Sequence, residues 1–553
     1  VMSGNVEVCR YLVEKVGMSP LTGDFGLETP YELAARLGFV ELVAYFEGCV
    51  GAALTDMYKN PIRTGFFPDP SIVRVGDDYY MVNSTFVYFP CIPVSHSKDL
   101  IHWEIIGHAI TEPEWCMLDG IEGGRGYWAP DISYHGGRFW VVATLRRDTE
   151  PVRLQMITSA ADPRGPWDPP RFLALDGIDP SLFTDEDGRR YILLNPGAIL
   201  AELSETGELL SAPEMISFGD ARIKPEGPHL LRKDGWYYLF LAEGGTGYTH
   251  CVTMARAKSV WGPFETAPGN PILTSDQEDG NRIQKCGHGD FVETQDGEWY
   301  MVHLCSRPVG GQKWCTMGRE TAIQKMVWDE DGWLRLKAGG RYAGNETEEP
   351  AFLGKGGEAH FATQSSGETA SLGADGADCT VNCDPQSDLG FRDDFEDGAL
   401  SVRYSSPRCS YLEFTDLKSR KGFLRIRGQE YVNSNHHVSL VAVRQQYACC
   451  TAETYVEFRA DCFLQMAGIS YLYDSLNYFL LGKTVTDEGE SVLTLTKCDR
   501  GEETDESEPV KVPDGAGVFL RVQVSEGGTV ARFFYRLEEG DWTQIGGNYS
   551  TEM

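Results

Sequence analysis

Between Asn60 and Leu336 one pattern recurs five times: an acidic or polar entry, an apolar strand, a tight Gly/Asp turn and a second strand led by aromatic residues. The copies are DPSIVRVGDDYYMV from Asp69, APDISYHGGRFWVV from Ala129, DPSLFTDEDGRRYILL from Asp179, EGPHLLRKDGWYYLFL from Glu226 and GDFVETQDGEWYMVHL from Gly289. Each reads as a β-hairpin, because Asp187-Gly188, Asp234-Gly235 and Asp296-Gly297 tolerate the left-handed conformations that tight turns require. Entries spaced roughly 45 to 65 residues apart leave room for one four-stranded sheet per repeat, which predicts a five-bladed β-propeller.

Radial repetition has a chemical corollary: residues that open each hairpin lie at one radius and face a shared axial cavity. In order they are Asp69, Asp131 or its neighbour Trp128, Asp179, Glu226, and His288 or its neighbour Asp290. An Asp before Pro often does no more than cap a turn. Three carboxylates at matching places resist that explanation, since like charges crowded together repel unless a function maintains them. Glycosidic hydrolysis uses such a set: one carboxylic acid protonates the leaving oxygen while a carboxylate activates water or attacks carbon. A third can keep the acid protonated by repulsion.

The flanks read differently. Residues 1–56 place apolar residues at helical steps in GNVEVCRYLVEK and TPYELAARLGFVELVAYF. With the Thr29-Pro30 entry and the Ala34-Ala35-Arg36-Leu37-Gly38 run they resemble ankyrin repeats, in fewer copies than a stable array needs. Residues 57–345 are assigned to the propeller, and 346–388, rich in Gly, Ala, Ser, Thr, Asp and Glu, to a linker. From 389 to 553 the runs FRDDFEDG, GFLRIRG, SLVAVRQQ, TAETYVEFRA, GISYLYDSLNYFLLGK, SVLTLTKC, GVFLRVQVS and ARFFYRLE predict an antiparallel β-sandwich. The expected class is mainly β: a five-bladed β-propeller followed by an antiparallel β-sandwich, with a small α-helical N-terminal segment. The end at Met553 falls short of the sandwich's expected final strands; a missing strand exposes a sheet edge, so either a truncated gene product or a marginally stable last domain is expected.

With 82 acidic and 49 basic residues the formal charge is −33, which disfavours nucleic acid and anionic membranes as partners and suits a neutral substrate. Such charge also keeps a large protein soluble. The 15 cysteines show no repeated metal-ligand spacing and read mostly as free thiols in a reducing compartment. No apolar run reaches the roughly 18 residues that span a bilayer, and no basic-then-apolar leader opens the chain, which points to the cytoplasm. The chain begins at Val1, so an upstream segment is left open. Homo-oligomer formation is compatible with these features.

Through NPIRTGFFPDPSIVRVGDDYYMV, GYWAPDISYHGGRFWV, IDPSLFTDEDGRRYIL, KPEGPHLLRKDGWYYLFLAEGGTGYTH, GHGDFV and MGRETAIQ, in that order, the sequence resembles glycoside hydrolase family 43 from about Asn60 to Leu336. The resemblance implies a propeller enzyme of β-xylosidase or α-L-arabinofuranosidase type that inverts the anomeric centre and requires no cofactor. It implies Asp69 as general base, Asp179 as pKa modulator and orienter, and Glu226 as general acid, with base and acid roughly 6.5 to 9.5 Å apart. Phe86 and Trp128 fall at aromatic wall positions, Arg319 at an arginine that reaches substrate and carboxylates, and His288 at a near-axial histidine. Each is also readable as core, counter-ion or interior hydrogen-bonding group. In some relatives a calcium ion is held through water at that histidine, so a structural calcium near His288 is admitted, although no residue demands a metal. Glu243 is expected to be set back from the pocket, and Asp131 to satisfy backbone groups.

The sandwich resembles the accessory domain of β-xylosidase-like members through DDFEDG, GFLRIRG, SLVAVRQQ and QMAGISYLYDSLNYF. Where those relatives carry an aromatic before SLVA, this chain has His436. The implied activity is an exo-acting release of a terminal pentose, foremost β-D-xylose, from xylo-oligosaccharides or arabinoxylan fragments. The alternatives are α-L-arabinofuranosidase action, both activities in one site, and a catalytically silent carbohydrate-binding propeller, which loss of any of the three carboxylates would have favoured.

Overall fold

A computed structural model describes residues 57–220, 224–276, 281–309, 313–355, 390–538 and 540–552, together with Cys9, Pro30, Ala34, Phe39, Leu42 and Tyr45. The ankyrin-like reading of residues 1–56 and most of the linker reading therefore lie outside the described residues. Among those described, no helix is long and apolar enough to cross a membrane.

The residues from 71 to 336 form five antiparallel sheets in chain order. Their innermost strands are Ser71–Val75, Gly126–His135, Ser181–Thr184, Glu226–Lys233 and Gln284–Glu293, one per predicted hairpin and here numbered as blades 1 to 5. The period-two alternation of strands explains why their partners are almost continuously apolar. In blade 4, along Trp236–Glu243, Tyr237, Leu239 and Leu241 pack on blade 3, while Tyr238 and Phe240 pack on blade 5. In blade 3, Tyr191 and Leu193 face blade 4 whereas Ile192 and Leu194 face blade 2. Blade 5 closes the circle, with Tyr300 and Val302 against Tyr79 and Met81 of blade 1. A blade buried on both faces has no solvent side, so truncating Leu193 or Leu239 to Ala would cost about 2–5 kcal/mol.

The segment before blade 1 ties the ring shut. Met57–Lys59 pairs with Glu346–Glu348, and Asn60 bonds Ile323 in both directions through its amide group, at 2.8 Å each. Glu346–Glu348 was assigned by composition to the linker; it is a strand because its backbone completes this closure rather than because its side chains favour one.

The sandwich stacks Cys450–Val456, Val518–Ser525, Val530–Arg536 and Thr543–Ser550 over Ala467–Asp474, Asn477–Val485, Ser491–Asp499 and Glu502–Asp505. Phe479, Leu481, Leu493 and Leu495 meet Leu520, Val522, Phe533 and Ile545 between the sheets. Three predicted strands are not strands in this sense. FRDDFEDG is irregular, GFLRIRG contributes only Arg425–Ile426, and SLVAVRQQ lies along the propeller. There Arg444 covers the Phe67 ring at 5.0 Å, and the Gln445 carbonyl sits where a Cβ on Gly65 would be, at 2.4 Å. Further contacts join the two parts: Ser406–Pro407 pairs with Tyr88–Phe89, and Arg408 donates to the Val87 and Ile121 carbonyls at 2.7 and 2.5 Å.

Candidate active site

Every blade enters the axis through one left-handed residue: Asp69 (φ 51°), Ala129 (31°), Asp179 (55°), Gly227 (55°) and His288 (50°). Non-glycine residues rarely adopt this conformation, and it persists only where surrounding structure enforces it. Pro70, Pro130, Pro180 and Pro228 follow the first four, and Gly289 the fifth. Proline has no N–H to lose where the ladder is interrupted. The ladder is indeed broken between Trp128 and Asp131, between Glu226 and His229, and around His288. Such bulges re-aim side chains, here towards the axis.

This register corrects the equivalence read from the hairpins. Asp69 and Asp179 occupy matching positions, whereas Glu226 precedes its blade's left-handed residue by one, the matching place being Gly227. Asp131 and Asp290 lie two residues further along, level with Ser71, Ser181 and His229, and belong to a second layer.

In the first layer Asp69 is held on both oxygens. Arg319 donates to Oδ1 at 2.5 Å, and the Ser84 hydroxyl donates to Oδ2 at 2.6 Å while accepting the Ala129 amide at 2.7 Å. Asn83 fixes the approach to Asp69 by donating to the Phe67 and Pro68 carbonyls. Arg319 is placed by its neighbour Glu320, whose buried carboxylate takes two bonds from Arg307 and one from the Gly65 amide. Burial pushes the Asp69 carboxyl up, but Arg319, His288 and Ser84 together outweigh it and hold it below the usual carboxylate range.

The other two acids behave oppositely. Burial, then repulsion from Glu226 and Asp69, lifts Asp179 well above its usual range despite Arg319 and the Gly227 amide. Burial followed by Asp69 raises Glu226 to about 7, against Arg319 and Lys224. Because these two titrate together, the protons belong to the pair. One proton therefore stays on the Asp179–Glu226 pair towards neutral pH while Asp69 remains ionised. That is the division acid–base hydrolysis requires.

Phe86, Trp128 and His288 complete the surroundings. Phe86 (φ 53°) packs 6.3 Å from Trp128 and 5.5 Å from Phe66, with the Arg319 guanidinium 5.5 Å from its ring centre. Both wall aromatics are partly exposed, and the Trp128 indole donates to the Gly124 carbonyl. His288 is buried, its Nδ1 4.0 Å from Asp179 Oδ2, and burial lowers its pKa to about 4, so the ring is neutral. The structure thus brings the seven predicted residues together: Arg319 on Asp69 and beside Phe86, Phe86 beside Trp128, His288 beside Asp179, and Glu226 within electrostatic reach of Asp69 and Asp179. His436 instead pairs with Asp119 at 2.9 Å on the outer face of the loop that carries Gly120 and Gly124.

Sequence reasoning missed Ser84 and His250. His250 is fully buried, donates from Nδ1 to the Glu243 carbonyl at 3.1 Å, and fills the space above Gly287, where a Cβ would meet its ring at 2.1 Å. The repeated X-Pro step was the unused signal for the register: aligning Gly227-Pro228 with Asp69-Pro70 moves Glu226 out of the ring by one residue.

The second layer is the group Asp131, His229 and Asp290, whose donor atoms lie within 4.8 Å of one another. Its carboxylates are already engaged: Asp131 by Ser71 and the Leu182 amide, Asp290 by Ser71 and the Ile72 and Phe291 amides.

A propeller with an ionised carboxylate and a proton-bearing carboxyl pair near its axis, flanked by the part-exposed Phe86 and Trp128, has the arrangement of a glycoside hydrolase. Residues 58–334 match the family model described as glycosyl hydrolases family 43, and residues 392–553 match the β-xylosidase C-terminal concanavalin A-like domain. A xylan 1,3-β-xylosidase from a Vibrio species is 35% identical over 89% of this chain and 91% of its own length. A non-reducing end α-L-arabinofuranosidase from Bacteroides ovatus is also 35% identical, over 76% of this chain and 75% of its own. The crystal structure of a xylan β-1,4-xylosidase from Bacillus halodurans superposes with a TM-score of 0.79 at 36% identity, covering 89% of this chain and 92% of that one. The chain belongs to glycoside hydrolase family 43.

Proposed function

We propose that the protein is an inverting exo-glycosidase that releases a terminal pentose, foremost β-D-xylose, from xylo-oligosaccharides or arabinoxylan fragments. The observation that carries this reading is the opposed electrostatics of the axial acids. Ionised Asp69, locked by Arg319 and Ser84, is suited to take a proton from water. Glu226, raised to about 7, is suited to give one to the leaving oxygen. Asp179, which shares the pair's proton, keeps Glu226 protonated as the donor and orients the sugar. Phe86 and Trp128 would cover the flat face of the ring, and Arg319 would reach its hydroxyls.

Relatives named for β-xylosidase and for α-L-arabinofuranosidase activity support both sugars. α-L-Arabinofuranose is accordingly the second reading. Hydrolysis in this family needs no cofactor. A calcium ion near His288, if bound, would take oxygen ligands and meet the neutral ring only through its water, acting on structure alone.

A side-by-side assay on aryl β-xyloside and aryl α-L-arabinofuranoside, with Asp69→Ala and Glu226→Ala as controls, tests the proposal. The expected result is the higher kcat/KM on the xyloside and near-complete loss in both variants. Undiminished turnover by either variant sinks the assignment, and a preference for the arabinofuranoside replaces the sugar.

A further inference from the structure

Glu243 ends the second strand of blade 4 and has no accessible surface. A carboxylate removed from water is costly unless donors satisfy it. Its Oε1 accepts the Asp220 amide at 2.8 Å and the Thr253 hydroxyl at 2.7 Å, while Oε2 has no partner among the described residues. The chain closes tightly around that bonded oxygen: a Cβ added to Gly219 (φ 81°) would meet Glu243 Oε1 and Pro225 Cβ, both at 2.9 Å. Pro225 immediately precedes Glu226, and its carbonyl is tied to the Gly197 amide at 3.0 Å.

The same residue reaches the other side of the pocket. Its carbonyl bonds His250 Nδ1 at 3.1 Å, and the His250 ring packs on Gly287, which precedes His288. One buried side chain and its backbone are thus linked through Gly219 to the segment that carries Glu226 and through His250 to the segment that carries His288.

We propose that Glu243 is a positioning residue for the proton donor: by clamping Asp220 and Gly219 against Pro225 it presents the Glu226 carboxyl to the leaving oxygen in one geometry. This rests on Glu226 being the general acid. A residue that merely fills the core would, when replaced, lower activity on all substrates alike. A residue that aims the donor matters only where a proton is needed, so its loss harms poor leaving groups and spares good ones.

The test measures kcat/KM on aryl pentosides whose leaving groups run from 2,4-dinitrophenol to phenol, for the wild type and for Glu243→Met, Glu243→Gln, Thr253→Val and Glu226→Ala. Glu243→Met keeps volume and removes the acceptor. It is expected to lose about 10- to 100-fold on the phenyl substrate and less than about 2-fold on the dinitrophenyl one. Glu243→Gln keeps an acceptor for Asp220 and Thr253 and restores the wild-type pattern. Thr253→Val, which removes one bond to Oε1, shifts the pattern in the same sense by less, and decides the matter should Glu243→Met not fold. Equal losses on both substrates, or no loss, overturn the inference. Glu226→Ala separates the two levels: without a leaving-group dependence in that variant the general-acid assignment itself falls. With one there and none at Glu243, only the positioning role falls.

Discussion

Two layers of polar side chains cross the propeller axis two residues apart, and they differ in whether their hydrogen bonds are closed. In the second layer Asp131 and Asp290 have every carboxylate oxygen engaged by Ser71 or by the Leu182, Ile72 and Phe291 amides. In the first layer Asp69 is closed by Ser84 and Arg319, whereas the partly exposed Glu226 carboxyl has no side-chain hydrogen bond among the described residues, its backbone alone being paired in the ladder with Ala242. A carboxyl that the protein's own donors leave unengaged is available to a substrate. The difference teaches that a similar density of acid along one axis serves cohesion in one layer and chemistry in the other.

The sharpest way to break this comparison is to remove the acids of the first layer. Glu226→Ala and Asp69→Ala are each expected to lower kcat/KM on an unactivated xyloside by about 10³-fold or more, read in steady-state assays. Asp179→Asn is expected to cost about 10- to 100-fold. It should also move the alkaline limb of the pH profile downward, because Glu226 loses a partner with which it shares a proton. In the wild type that limb falls as pH rises through about 7, where the donor gives up its proton. The acid limb lies below the usual carboxylate range, where Asp69 becomes protonated.

The second layer should answer in stability instead. Asp131→Asn leaves the Leu182 amide poorly matched and is expected to cost ~1–3 kcal/mol in denaturant unfolding, with kcat within about 3-fold of wild type. A kinetic collapse in this variant, with stability intact, would erase the distinction between layers.

The smallest effect is a pH dependence of stability. Glu226 has a raised folded pKa, about 7 against 4.5, so the folded state binds more protons between those values and its stability falls as pH rises through that window. The full shift would amount to about 3 kcal/mol, but the side chain is partly exposed and solvent screens it, so relative to Glu226→Gln the wild type is expected to lose about 1 kcal/mol across it, read from unfolding midpoints at several pH values.

Much of the fold was legible because its rules are local. Asp-Gly turns mark the hairpins, and a strand such as Trp236–Glu243, buried on both faces, reads as an apolar run. The three acids stood out in the sequence by their places at the hairpin entries, and their roles came from the family motifs around them. What stayed hidden depends on contacts between distant segments. Ser84 looks like any serine until it bridges Asp69 and Ala129, and Glu346–Glu348 is a strand only because Met57–Lys59 lies beside it. SLVAVRQQ has strand composition, yet its Arg444 and Gln445 are used against Phe67 and Gly65 of the propeller. The displacement of Glu226 by one residue is a backbone effect, set by the left-handed Gly227 and the interrupted ladder.

The unequal roles of Asp69 and Glu226 amount to a statement about stereochemistry, since a base that activates water on one face and an acid on the other invert the anomeric carbon. Proton NMR of the first sugar released from an aryl β-xyloside, recorded before mutarotation, reads this directly. α-Xylose as the first product is the predicted result; β-xylose appearing first would contradict the assignment of Asp69 as the base that activates water.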